Sequence, residues 1–149
     1  MMFSGHYEHA IDAKGRTSVP ARFRELLGAD GDLRLVLTPA LFDPCLDAYP
    51  RRAWEEMEAK IATLPRFDPK VVHLRRRYVS AAVECEIDKQ GRILVPPALR
   101  EHAALEKDVL WAGSGKSAEL WSKPRWTQGL ALADGELEAF KNMVAELSL

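Results

Sequence analysis

Between Ala13 and Arg24 the chain carries four basic residues, Lys14, Arg16, Arg22 and Arg24, and no acid. Guanidinium and ammonium groups concentrated in this way bind phosphate, and a planar guanidinium can also grip a guanine edge through two parallel hydrogen bonds. Asp12 precedes the cluster and Gly15 interrupts it, so Asp12-Ala13-Lys14-Gly15-Arg16 reads as a tight turn. Glycine supplies the positive φ, and the aspartate accepts from backbone N–H groups or from the arginine four residues on.

The same pattern returns as Asp88-Lys89-Gln90-Gly91-Arg92, with Arg100 standing where Arg24 stood. From position 12 to position 88 the offset is 76, and Asp, Gly, Arg, Val, Pro, the second Arg and a Glu all match under it. One supersecondary unit has been used twice. The copies differ in charge: Arg22 becomes Ala98, Ser18 becomes Leu94, and Lys14 becomes Gln90 with Lys89 partly compensating. The first copy is therefore expected to supply more of any phosphate affinity.

Each turn needs flanking elements to hold it. Tyr7, His9 and Ile11 alternate with Glu8 and Ala10, and Val83, Cys85 and Ile87 alternate with Glu84 and Glu86, which is the period of a half-buried strand. After the turn, Arg16 to Val19 and Arg92 to Val95 read as return strands. The proline behind each valine fits the first turn of a helix. Phe23, Leu26 and Leu27 give the first helix its apolar side and Gly28 its end, and Leu99 with Ala103 serve the second. Each copy thus reads strand, turn, strand, helix, followed by strands around Leu33, Leu35 and Leu37 or around Val109 and Trp111.

Both copies close alike: Tyr49 precedes Trp54, and Trp121 precedes Trp126, each ring pair five residues apart. Between the copies, Trp54, Met57, Ile61 and Leu64 recur at helical spacing, and a second helix carries Val71, Leu74, Tyr78 and Ala82 along one side. Its Arg75-Arg76-Arg77 run could touch DNA, but reads first as a solvated or subunit-facing side. Leu137, Phe140, Val144 and Leu147 predict a C-terminal helix rich in acids, suited to packing on a neighbour or covering the core and poor at meeting DNA. The divisions are residues 5–53 for the first repeat, 54–81 for a helical linker, 82–126 for the second repeat and 127–149 for a helical tail.

Composition bounds the remaining possibilities. With 149 residues, 47% of them apolar and 29% charged, the chain suits one domain core shared by two small units. No apolar run nears the roughly 20 residues of a membrane helix, and residues 1–6 lack the features of a secretory signal, so a cytoplasmic location is expected. Cys45 and Cys85 have neither zinc-site nor disulfide spacing and read as buried thiols. His6 and His9 lack a third ligand, so no metal and no cofactor is expected. Asp12 and Asp88 could pair as catalytic carboxylates, but each has its own arginine to keep it ionised, and no nucleophile motif or phosphate loop accompanies them. Catalysis is not expected.

The two Asp-x-x-x-Arg turns, each followed by Val-Pro and an Arg-Glu helix, resemble the paired motif of the MraZ family, within the AbrB/SpoVT-like swapped-hairpin group. The likeness runs from Phe3, Gly5, Tyr7 and Glu8 through Cys45, Leu46, Tyr49 and Pro50 to Leu120, Trp121, Lys123 and Trp126. The resemblance implies an α+β fold in which the two repeats interleave as a pseudo-dimeric β-barrel. It also implies a nucleoid-associated transcriptional regulator, typically a repressor of its own division and cell-wall operon. Such a protein binds direct repeats in double-stranded promoter DNA as a homo-oligomeric ring, with no small-molecule ligand. On this reading Arg16, Arg24, Arg92 and Arg100 meet DNA, with Lys14, Arg22 and Lys89 beside them, while Asp12, Gly15, Asp88 and Gly91 shape the turns. From spacing alone Arg16 and Arg92 equally suit an internal pair with Asp12 and Asp88, and the roles can coexist. The second class of function is a protein-interaction scaffold with no direct DNA readout.

Overall fold

The computed structural model describes residues 2–129 and 131–149. Among the described residues eight strands form: β1 (His6–Ala10), β2 (Arg16–Ser18), β3 (Arg34–Pro39), β4 (Leu46–Pro50), β5 (Val83–Glu86), β6 (Arg92–Leu94), β7 (Asp108–Ser114) and β8 (Ser117–Ser122). The helices are α1 (Ala21–Ala29), α2 (Arg51–Ala62), α3 (Pro69–Leu74), α4 (Pro97–Ala103), α5 (Lys123–Gly129) and α6 (Asp134–Glu146), and a π-wound turn over Arg75–Val79 extends α3. The fold is α+β, as expected.

Six strands make one antiparallel sheet in the order β1-β7-β8-β4-β3-β5, while β2 and β6 pair as a separate ribbon. The first strand of each copy therefore pairs with the other copy's half of the sheet: β1 with β7, and β5 with β3. Exchanging every strand for its counterpart leaves the order unchanged when it is read from the opposite edge. The register also places the pseudo-twofold axis. Thr17 lies opposite its own counterpart Ile93 in the ribbon, and Asp47 lies opposite its counterpart Glu119 where β4 meets β8.

This arrangement modifies the expected hairpin. The strands on either side of each turn do not form a ladder with each other; a single bridge from Ile11 to Thr17 joins the first pair, and β2 takes its partner from the second copy. The reason is packing. Thr17 and Ile93 face inward, only 1% exposed each, so the ribbon acts as a lid on the core instead of projecting from it. The Thr17 hydroxyl donates to the carbonyl of Ala10 at 2.9 Å, and the Trp111 indole donates to the carbonyl of Ser18 at 3.0 Å.

Under the lid, Phe23 from α1 meets Phe3, Tyr7 and Trp111 edge to face, with centroids 5.1, 5.2 and 6.2 Å away. Val19, Leu27, Val95, Leu99 and Ala103 complete the same cluster. Leu35 and Leu37 point into it as the alternation implies, but Val36 between them is buried too, under α2 and the π turn with Trp54 and Tyr78. The two ring pairs seen in the sequence do touch, Tyr49 on Trp54 at 5.3 Å and Trp121 on Trp126 at 5.6 Å.

Three further details differ from expectation. Gly28 lies inside α1; the left-handed residue after that helix is Gly31, at φ +79°. Pro20 and Pro96 sit one place before their helices, at the N-cap positions. The helix α6 covers none of the core, because every described side chain on it is exposed except Val144, which is half-buried.

Gly15 has φ +91°, and a Cβ there would stand 2.7 Å from the backbone oxygen of Val95. At Gly91, with φ +78°, the nearest obstacle is the movable guanidinium of Arg24, also at 2.7 Å. Each Gly→Ala exchange is expected to cost about 1–2 kcal/mol for the left-handed backbone alone. Gly15→Ala should lower the urea midpoint further than Gly91→Ala, because a backbone oxygen cannot step aside.

Candidate nucleic-acid interface

The two turns are built from the same hydrogen bonds. Asp12 Oδ1 accepts from the backbone N–H groups of Lys14 at 3.0 Å and Arg16 at 2.9 Å, and its Oδ2 accepts from Arg16 Nε at 2.8 Å. Asp88 accepts from the N–H groups of Gln90 at 2.8 Å and Arg92 at 2.9 Å. Here the arginine is held more loosely, 3.5 Å from the carboxylate, and it also bonds the side chain of Gln90. The backbone N–H of Arg16 or Arg92 is the largest influence holding each carboxyl below the usual aspartate range, and the arginine side chain adds to it.

Each turn is then locked by the opposite copy. Val19 N–H donates to the carbonyl of Gly91 at 2.8 Å, and Val95 N–H donates to the carbonyl of Gly15 at 2.8 Å. Arg24 lies against the Gly91 turn with its Nε on the carbonyl of Val19 at 3.1 Å, and Arg100 lies against the Gly15 turn with its Nε on the carbonyl of Val95 at 3.0 Å. Both arginines are half-buried, so they brace the turns as well as bordering them.

What the braced ribbon presents outward follows from its pleat. Thr17 and Ile93 point in, so Arg16, Ser18, Arg92 and Leu94 point out. Arg16 lies across from Leu94, and Ser18 across from Arg92. The arginine side chains are 38% and 31% exposed, with donors beyond those used in the turns. The two arginines are diagonal neighbours, about 7–8 Å apart by sheet geometry, or about two base-pair steps of 3.4 Å. Lys14 and Lys89 stand exposed on the turns. Arg22, on the first turn of α1, is exposed and paired with Glu25 at 3.2 Å. The structure thus brings Lys14, Arg16, Lys89 and Arg92 to one ribbon and its two turns, keeps Arg24 and Arg100 beneath as supports, and leaves Arg22 on a helix.

Two groupings went unseen in the sequence. Leu94 belongs to the outward ribbon face, and only the ribbon register reveals it. Donor atoms of Cys45, Asp47 and Glu119 lie within 4.8 Å of one another near the pseudo-twofold axis. The grouping joins residues far apart in sequence, which spacing does not reveal. Burial raises the Cys45 thiol far above its ordinary range, with the carboxylates of Glu119, Asp47 and Asp43 adding to the effect. Burial also raises Asp47, against the opposing hydrogen bond from Tyr78. Cys45 donates weakly to Glu119 at 3.9 Å and Tyr78 to Asp47 at 2.5 Å, so protein donors already serve both carboxyl groups. Both cysteines are buried and free, and burial pushes Cys85 up to about 11.

A family model described as "MraZ protein, putative antitoxin-like" matches residues 2–76 and 79–144. The chain is 50% identical over 127 residues to a transcriptional regulator MraZ of Heliobacterium modesticaldum, covering 85% of each chain. It is 45% identical over 148 residues to the protein of that name from a Thermoanaerobacter species, covering 99% of this chain and all of that one. The Moorella thermoacetica protein of that name is 41% identical, also over 148 residues.

If the fork of Arg24 braces the Gly91 turn, its charge alone will not substitute. Arg24→Lys and Arg24→Ala should destabilise alike, by about 1.5 kcal/mol, the low end for a charged hydrogen bond, in urea unfolding. The lowered carboxyls contribute to stability against acid, as does Asp32, which Arg34 lowers. A group depressed on folding stabilises the folded state above its unfolded pKa, near 3.9, and loses that contribution as pH falls through the folded value. Asp12→Asn combined with Asp88→Asn should therefore flatten the loss of thermal stability below about pH 4.

Proposed function

The chain belongs to the MraZ family, and from that premise we propose that it is a transcriptional regulator that reads double-stranded promoter DNA with the outward face of the β2–β6 ribbon. The observation that carries this reading is the paired presentation of Arg16 and Arg92 on that face, with Lys14 and Lys89 on the turns beside it. A two-stranded ribbon fits the major groove, where arginine reads guanine and flanking cations hold phosphates. Net charge is −1, so the attraction is local.

The finer reading is repression of its own division and cell-wall operon through direct repeats, by a ring of subunits. One ribbon makes few phosphate contacts, and linked copies convert each further contact into an intramolecular event. The exposed apolar residues Leu137 and Phe140 of α6, with Leu147 at its C-cap, support self-association, since a helix that covers none of its own chain's core has a face to offer. Among the described residues, no helix is long and apolar enough to cross a membrane; the cytoplasmic, nucleoid location belongs to the DNA-reading role. A regulator of this kind is not an enzyme. A protein scaffold without DNA readout is the competing reading, and salt separates the two.

Wild type, Arg16→Ala and Arg92→Ala should be titrated onto duplex from upstream of the gene over a salt series, with oligomer size followed in parallel. Arg16→Ala is expected to cost about 1–3 kcal/mol in specific binding, and Lys14→Ala to reduce the log–log salt slope by about one. A smaller loss in Arg92→Ala would fit the lighter charge of the second copy. Binding that ignores salt and both arginines would point to the scaffold instead.

A further inference from the structure

Two counterpart positions on the ribbon's outward face carry opposite chemistry. Ser18 and Leu94 are related by the pseudo-twofold axis through Thr17 and Ile93, and each stands across from an arginine. Ser18 is half-buried, whereas Leu94 is 57% exposed between Ile93 at 1% and Val95 at 0%. A single exposed leucine is ordinary on a protein surface. This one stands in the centre of a cationic face, in register with Arg16, on a strand whose backbone is fixed from both sides. Gly15 locks Val95, and the Cys85 thiol reaches the carbonyl of Leu94 at 3.6 Å. The side chain is held in place and left uncovered.

Resting on the ribbon reading above, we propose that Leu94 is a specificity-determining residue that recognises the 5-methyl group of thymine in the major groove, so that the two halves of one ribbon read different bases. Among the base edges of that groove the thymine methyl is the apolar feature, and an aliphatic side chain is its natural partner. The cross-strand pair Arg16 and Leu94 would read a guanine with a nearby thymine. The counterpart pair, Arg92 and Ser18, offers a hydroxyl that accepts several bases and demands no methyl. An exactly twofold ribbon reads a palindrome. A ribbon with leucine on one side and serine on the other reads an element with a direction, and that direction fixes how each subunit lies on the duplex.

The test is selection from a randomised duplex library by wild type and by Leu94→Ser, which copies the residue already present at position 18. Wild type should enrich an asymmetric element with thymine on one side, and Leu94→Ser should lose that thymine while keeping the guanines. In the wild-type element, replacing this thymine by deoxyuridine deletes only the methyl, and should weaken wild type about fourfold, the value of one buried methyl group, while leaving Leu94→Ser unchanged. Urea midpoints and oligomer sizes of the two proteins should coincide. The same element selected by both proteins, or a changed oligomer size with an unchanged element, overturns the proposal and leaves DNA reading by the ribbon intact. Failure of wild type to enrich any element overturns base reading as well.

Discussion

Two backbone hydrogen bonds, from Val19 to Gly91 and from Val95 to Gly15, tie the halves of this chain together where they cross. Each valine N–H would otherwise be an orphan at the entrance to a helix, and a buried unpaired donor is costly. The carbonyl that serves it belongs to the glycine of the opposite turn. Each glycine has positive φ, and the space a Cβ would take is held by the Val95 carbonyl and Arg100 at Gly15 and by Arg24 at Gly91. The arginines Arg24 and Arg100 then cap the same valines' carbonyls. Turn shape, helix entry and strand exchange are thus one constraint, satisfied twice.

From that crossing follows the position of the ribbon. Because β2 and β6 pair only with each other in a ladder, their inner residues Thr17 and Ile93 close the core while their outer residues remain free. A lone projecting hairpin would place arginines on a mobile arm and lose ordering entropy on binding. Here Asp12 and Asp88 hold the turns, the core holds the ribbon from beneath, and the arginines present their remaining donors from a rigid base. The internal ion pair and an outward role for Arg16 are compatible, since one carboxylate satisfies only part of a five-donor guanidinium.

The sequence made the repeat, the turns, the strand periodicity and the aromatic pairs legible because each is local: a period of two, a fixed offset, or rings five residues apart. It did not reveal which strand pairs with which. Arg16 to Val19 looks like the return limb of a hairpin, and nothing within those four residues says that its partner lies beyond residue 90. Val36 was hidden by its neighbours, because a strand buried on both faces has no alternation to read. The bracing role of Arg24 and Arg100 was hidden similarly. An arginine on a helix near a basic turn reads as another cation until the opposite glycine is seen beneath it.

Duplication of this kind has a consequence that a true homodimer lacks. In a dimer of identical chains every residue on the axis faces itself, and every change appears on both sides. After the two units joined in one chain, Thr17 could face Ile93 and Asp47 could face Glu119. The hydrogen bonds that hold the crossing remain symmetric, because backbone pairing does not depend on the side chains that diverged. The outward face has diverged, with serine on one side and leucine on the other, and a more tightly held arginine in the first turn than in the second. Symmetry persists where the fold requires it, and is lost where the side chains meet solvent and are free to differ.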